Sequence, residues 1–341
     1  MSKSRANRAG FTVALVVALV AASLLSLAFG AREMGPAQTL GAVRDGLALA
    51  FGAGAEHPGD EATVIAQLRV PRTLLGLLAG AALGTAGALL QGHTRNPLAD
   101  TNLLGIGPGA ALAVAAASAL TGSLAPIAAV GFGFLGAVAA VAVVFALSAA
   151  GRGATPITVV LGGSALGAMC TAITSGIVLT NTDSLNEMRF WTAGSVAGRD
   201  MHIVAAVAPV ILVGLAAAFA TAGQVNMLNL GDDIAHAVGV NVAVARAVGV
   251  VLVALLAGAA VAGAGPIGFV GLVVPHLVRA VTGPDYRWVL PCSALAGSTL
   301  LLLADVAGRI IARPGELQVG ITLAFVGAPF ALYLLRKGAR L

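Results

Sequence analysis

An all-α, polytopic membrane fold of about ten helices is what this sequence predicts, and three observations carry the prediction. The 341 residues are 58% hydrophobic and only 10% charged, against about 25% charged in an ordinary soluble domain, so the charges are too few to cover a water-exposed surface. Mean hydropathy is +0.97, which excludes a disordered chain. Apolar stretches of membrane-crossing length recur along the chain, divided by short polar islands. Aromatic residues make up 4% while glycine numbers 45, so the helices must pack through small residues that let backbones approach closely in lipid. The absence of a glycine triplet excludes collagen, and two cysteines, Cys170 and Cys292, exclude a disulfide framework.

The elements follow in order. Lys3, Arg5 and Arg8 precede an apolar run at residues 11–30. A secretory signal with a small-residue site near Ala28 is one reading, but a signal core spans roughly 7–15 residues whereas this run has the length of a bilayer crossing. It is taken as the first span. Residues 31–63 collect Arg32, Glu33, Arg44, Asp45, Glu56, Asp60 and Glu61, too polar to cross, and form a loop with a short amphipathic helix. Further apolar runs cover residues 64–91, 104–120, 124–150, 157–181, 201–222, 244–265, 267–281, 288–312 and 317–336, giving one transmembrane domain over residues 1–341. Residues 103–150 carry no charge and are divided only by Thr121, Gly122, Ser123 and Pro126. The run at 267–281 is short for a full crossing and needs support from its neighbours.

Placing the N-terminus inside and alternating thereafter puts eleven basic and four acidic residues inside, against eight basic and ten acidic outside. Positive charge inside is the expected bias, so both termini are assigned to the cytoplasm. The basic isoelectric point follows from topology and gives no reason to invoke nucleic acid. Lys3 and Lys337 are the only lysines, and a phosphate-binding Walker loop needs an internal Gly-Lys-Ser/Thr. The chain is therefore not a nucleotide-hydrolysing subunit of that type. His57, His93, His202, His236 and His276 never fall at metal-ligand spacing, so neither a metal site nor an enzyme activity is expected.

Several polar islands stand out. Arg69 and Arg72 flank Pro71 at the outer end of the second span; Pro71 suits a first helical turn, and the arginines, placed at the outer surface, either snorkel or meet a partner. Gly76, Gly80 and Gly84 repeat every fourth residue and make a packing face. Residues 91–100, QGHTRNPLAD, contain a turn at Asn96 and Pro97. Residues 232–239, DDIAHAVG, lie in the inside loop 223–243, where Asp232 can cap a short helix and Gly239 can end it. Such a helix is a docking element, or else rests on lipid headgroups, which Asp232 and Asp233 would disfavour. Gly265, Pro266, Gly268 and Pro275 break the helix twice between residues 265 and 276, so that backbone must be buried in protein; His276 is read as structural. Asp305 and Arg309, one turn apart, can pair, and Arg313 and Glu316 follow.

The run RVPRTLLGLLAGAALGTAGALLQGHTRNPLADTNLLGIGPGA at residues 69–109, with DDIAHAVG, GPIGFVGLVVPH, LADVAGR and the GAPF at residues 327–330, resembles the permease family of bacterial ABC importers for iron–siderophore complexes, haem and cobalamin. The resemblance spans nearly the whole chain and implies the type II importer permease fold in a bacterial cytoplasmic (inner) membrane. It further implies a second permease, either a copy or a related chain, two ATPase subunits that hold ATP and Mg, and a substrate-binding protein. Gly231, Asp232, Asp233, Ala235, His236, Val238 and Gly239 would then couple to the ATPase. Arg69, Arg72 and Arg309, with Arg313 as an additional candidate, would receive acidic residues of the binding protein. The outer segment 182–200, with Arg189, Phe190, Trp191, Ala193, Gly194 and Ser195, resembles the siderophore branch, especially catecholate transporters, although a tryptophan there also serves as an interface anchor. Ferric siderophore is thus the expected cargo, with cobalamin or haem as alternatives. An ion-gradient-driven secondary transporter is the rival from another class. Such proteins keep ionisable groups mid-membrane, whereas Asp305 and Arg309 lie near a span end.

Overall fold

A computed structural model describes residues 2–30, 36–50, 52, 59–149 and 156–338; Arg32, Glu33, Glu56, Arg152 and Arg340 of the charge tally lie outside the described residues. The helices in order are α1 (Ser2–Ala28), α2 (Pro36–Ala50), α3 (Asp60–Val64), α4 (Val70–Thr94), α5 (Ile106–Thr121), α6 (Pro126–Ala149), α7 (Pro156–Thr180), α8 (Thr182–Trp191), α9 (Met201–Ala220), α10 (Ala222–Asn229), α11 (Asp232–Ala237), α12 (Val242–Ala264), α13 (Val270–Thr282), α14 (Tyr286–Ile311) and α15 (Val319–Gly338). Among the described residues there is no strand. Among the described residues, seven helices are long and apolar enough to cross a membrane, and three shorter apolar ones, in α5, α13 and α15, accompany them. The chain is a multi-pass membrane protein. The amphipathic helix expected in residues 31–63 is α2, and the short run at 267–281 is α13.

Local chemistry sets the boundaries. Side chains of Asp200, Asn241 and Asp285 accept hydrogen bonds from the backbone N–H groups of Ile203, Val244 and Arg287 at 3.0, 3.1 and 3.0 Å, satisfying donors that a helix start leaves unpaired. A π-helical stretch, Ile65–Arg69, joins α3 to α4, so one helical rod runs over Asp60–Thr94. Arg95 ends that rod in the left-handed region at φ 51°.

The rod is the centre of the bundle, with α14, α12, α13 and α9 packed around α4. Its glycine face makes this possible. A Cβ at Gly80 would lie 2.5 Å from the Gly297 carbonyl oxygen, and one at Gly84 would lie 2.3 Å from that of Ser293. Backbone therefore touches backbone between α4 and α14. Gly76 faces the Leu302 side chain on the same seam.

The break between α12 and α13 is enclosed by protein. Ser195 N–H donates to the Ala264 carbonyl at 2.7 Å, and Gln91 Nε2 on α4 donates to the Gly271 and Leu272 carbonyls at 3.0 and 3.4 Å. Gly265 at φ 74° and Phe269 at φ 69° turn the chain; Gly268 faces Asn102 Nδ2, while Pro266 lies over Gly107. Pro275 is absorbed within α13. His276 packs edge-on against Phe330 with ring centroids 5.9 Å apart.

The seam generates a direct test. Gly80→Ala should destabilise the protein by roughly 1–3 kcal/mol through overpacking, read as a lower thermal midpoint in detergent. Gly131→Ala in α6, where an added Cβ meets nothing within 4 Å, should leave the midpoint unchanged or slightly higher.

Candidate functional site

The end of the bundle that the sequence predicts to face outward is organised by charge. Asp305, on α14, is buried and accepts from two guanidiniums: Arg72 Nη2 at 2.8 Å and Nε at 3.0 Å, and Arg309 Nη2 at 2.8 Å. Arg72 Nη1 also binds Glu316 at 2.8 Å. Arg309 Nη1 reaches the Ser26 carbonyl at 3.0 Å and the Phe29 carbonyl, while Arg69 Nη1 reaches the Leu27 and Ala28 carbonyls at 2.8 and 2.7 Å. Arg313 Nη2 donates to the Gly30 carbonyl at 3.4 Å. The last carbonyls of a helix lack internal partners and carry the negative end of its dipole. Three arginines thus cap α1, and two of them belong to α14 and the segment after it.

This geometry corrects the sequence expectation on one point. Arg69, Arg72 and Arg309 do not stand at an exposed outer rim; they are 5%, 8% and 1% exposed. Acceptors on α1 and α14 lie within their reach, and a guanidinium turned toward lipid would have none. Arg313 is exposed. Beside this cluster lies an outer cleft of about 770 Å³ lined by Ser195, Arg199, Glu316 and Gln318. Burial pulls the Arg199 pKa below its ordinary range, with Asp200 opposing.

At the opposite end, α10 and α11 form an arm. Ala235 is fully buried against Leu228, Val242 and Ala245, whereas Leu230, Ile234 and Val238 are 58%, 49% and 58% exposed. Asp233 and His236 are exposed as well. Gly231 at φ 122° and Gly239 at φ 85° bound the short helix, conformations that favour glycine. The arm is tied to three helices. Asn229 Nδ2 donates to the Gly92 carbonyl at 3.3 Å; Asn226 Nδ2 binds Asp285 at 2.7 Å; and Asp232 pairs with Arg95 and Arg246. Next to it the Asn96 side chain accepts from Leu98 N–H at 3.0 Å, shaping the turn through Pro97. Burial pushes the nearby Asp100 carboxyl up, opposed by hydrogen bonding from Asn102.

One feature was not read from the sequence. A groove of about 590 Å³ is lined by Asn102, Thr171, Thr174, Ser175, Arg189 and Pro266, among others. Thr174 Oγ1 is buried without a hydrogen-bond partner. The available signal was the spacing of Thr171, Thr174 and Ser175, which places three hydroxyls on one helical face. Among the described residues no group of three or more His, Cys, Asp or Glu could hold a metal ion.

Comparison with known proteins places this architecture. The model of the FecCD transport family matches residues 18–337. The ferric enterobactin transport system permease protein FepD of Escherichia coli (strain K12) is 40% identical over 96% of this chain and 95% of that protein. The probable siderophore transport system permease protein YfiZ of Bacillus subtilis (strain 168) is 37% identical over 83% of this chain and 85% of that protein. A solved structure of an inward-facing metal-chelate type ABC transporter superposes with a TM-score of 0.81 at 27% identity, covering 95% of this chain and 98% of that one.

Removing the shared carboxylate should expose the weight it carries. Asp305→Ala leaves two buried guanidiniums without their counter-ion and should destabilise the protein by about 3–5 kcal/mol, measured as a collapse of the thermal midpoint and of membrane yield. Glu316→Gln, at the half-exposed end of the network, should change the midpoint far less.

Proposed function

Because the chain belongs to the FecCD transport family, we propose that it is the membrane-spanning permease of an ATP-driven importer that carries a ferric siderophore across a bacterial inner membrane. The observation that supports this most directly is the full-length likeness to permeases of ferric chelates. Two permeases, identical or paralogous, form the path, with both termini in the cytoplasm. Two ATPase subunits bind ATP and Mg, and a substrate-binding protein delivers the cargo. This chain forms no covalent bond with the cargo; it changes access.

The arm provides the ATPase contact in this reading. Leu230, Ile234 and Val238 present an apolar patch on the inside face, and an apolar patch rimmed by polar residues suits a protein partner better than water. Closure of the ATPases displaces the arm, and the arm is bonded to the ends of α4, α12 and α14. The groove beside α7 offers hydroxyls and one arginine to a passing chelate, contacts weak enough for it to leave. On the outer side the binding protein docks on the surface that carries Arg313, Glu316 and the Arg199 cleft. Arg69, Arg72 and Arg309 hold that surface in place from beneath.

Proteoliposomes holding the permease with its ATPase and binding protein decide the mechanism. Uptake of radiolabelled ferric siderophore should require ATP and stop with a hydrolysis-deficient ATPase; uptake that follows a pH gradient without ATP overturns the proposal. Competition by ferric catecholate, but not by cobalamin or haem, checks the cargo class. Ile234→Asp with Val238→Asp should lower co-purification of the ATPase about tenfold while the permease stays monodisperse. Arg313→Glu should slow association of the binding protein and weaken its salt dependence, the usual signature of a rim charge.

A further inference from the structure

Asp232 is the first residue of α11, yet its carboxylate turns back into the permease. Arg246 Nη2, on α12, donates to both of its oxygens at 3.0 and 2.8 Å. Arg95, just beyond the end of α4, donates to Oδ1. Arg95 reaches this position from a left-handed backbone at φ 51°, which residues other than glycine rarely adopt, and its Nε simultaneously caps the Leu228 carbonyl at 2.9 Å. One carboxylate is therefore shared by two guanidiniums from two different helices, and one of those guanidiniums also holds the end of α10. The two helices are themselves in close contact at this level. The His93 ring of α4 lies against Gly249 of α12, where an added Cβ would come 2.1 Å from Nε2.

We propose that Asp232 is a positioning residue within the arm and not an ATPase contact: with Arg95 and Arg246 it forms a clasp that makes α4 and α12 follow the arm together. The proposal rests on the coupling role of the arm argued above and divides the arm into two faces. Ile234 and Val238 face outward for the partner; Asp232 and Ala235 face inward. The clasp's side chains are 39%, 39% and 40% exposed, so its loss costs little folding stability. Its contribution lies in the direction in which a displacement is passed on. Without the clasp the arm can tilt on its glycine ends, Gly231 and Gly239, while α4 and α12 stay in place.

The test uses the assembled importer in proteoliposomes with Asp232→Asn, Arg246→Gln and the conservative Asp232→Glu, reading ATP hydrolysis and ferric siderophore uptake in parallel. Asp232→Asn and Arg246→Gln should keep ATPase co-purification and hydrolysis at the wild-type level while uptake per ATP falls roughly fivefold or more, the lower end of typical coupling strengths. Asp232→Glu, which keeps the charge, should restore at least half of it. Loss of ATPase co-purification in Asp232→Asn overturns the proposal by making Asp232 a partner contact and leaves the coupling role of the arm intact. Unchanged uptake per ATP in both neutral variants also overturns it. Normal co-purification and uptake in the Ile234→Asp, Val238→Asp double variant would instead remove the arm itself from coupling, so the two failures are distinguishable.

Discussion

The outer half of the molecule is built around a single carboxylate. A charged side chain is costly to place in a membrane span unless it is paired, and Arg72 and Arg309 both lie within membrane-spanning helices, near the ends of α4 and α14. Asp305 receives both guanidiniums at 2.8 Å, which requires α4 and α14 to sit side by side with their outer ends level. The Nη1 donor that Arg309 has left over reaches the Ser26 carbonyl near the end of α1, where Arg69 binds the Leu27 carbonyl beside it, so the same cluster fixes where the first span stops. Burial of a charge thereby becomes a registry device: sliding α4 along α14 by one turn would leave a guanidinium without an acceptor in an apolar medium.

What holds the outer ends together has a counterpart at the inner ends. Asp232 is shared by Arg95 and Arg246 as Asp305 is shared by Arg72 and Arg309, but the inner clasp is part-exposed and the outer one is buried. The physical consequences differ accordingly. The buried triad is rigid because breaking it uncovers charge, while the inner one can open and close against water at small cost. Between them, the backbone contact along Gly80, Gly84, Ser293 and Gly297 leaves no side-chain layer through which α4 and α14 could slip. A displacement applied at the arm is therefore delivered to a stiff pair of helices anchored at the opposite end of the bundle.

Much of this was legible before any coordinates. The spans, the short α13, the packing face at Gly76, Gly80 and Gly84, and a short helix within residues 232–239 all follow from hydropathy and spacing. The cap expected of Asp232 does not form, because Gly231 takes the N-cap position and the Asp232 carboxylate is bound by Arg95 and Arg246. The direction in which a polar side chain points did not follow. Arg69, Arg72, Asp305 and Arg309 recur at helical spacing, but in lipid the buried and the exposed stripes of a helix are equally apolar, so hydropathy does not reveal which stripe faces protein. For the same reason Asp232 reads as a plain helix cap although it pairs with residues 137 and 14 positions away. Only the pairing partners, brought together by the fold, settle such cases. The groove escaped notice because its walls come from separated segments, none of them distinctive alone.

That groove also explains why the irregular stretches sit where they do. Asn102, Gly107 and Pro266 all line it, and they come from the turn before α5, from the first turn of α5 and from the break between α12 and α13. Regular helices would present side chains at these points and fill the space; Gly107 lies so close to Pro266 that an added Cβ would stand 3.1 Å from its ring. Broken backbone is tolerated at membrane depth only where protein or a cavity satisfies it. In the proposed importer the two conditions meet in one place: the break between α12 and α13 is held by Ser195 and Gln91, with the Trp191 backbone close against Gly265, and borders the groove through Pro266. The lining is mostly apolar, in keeping with a chain as poor in charge as its composition showed.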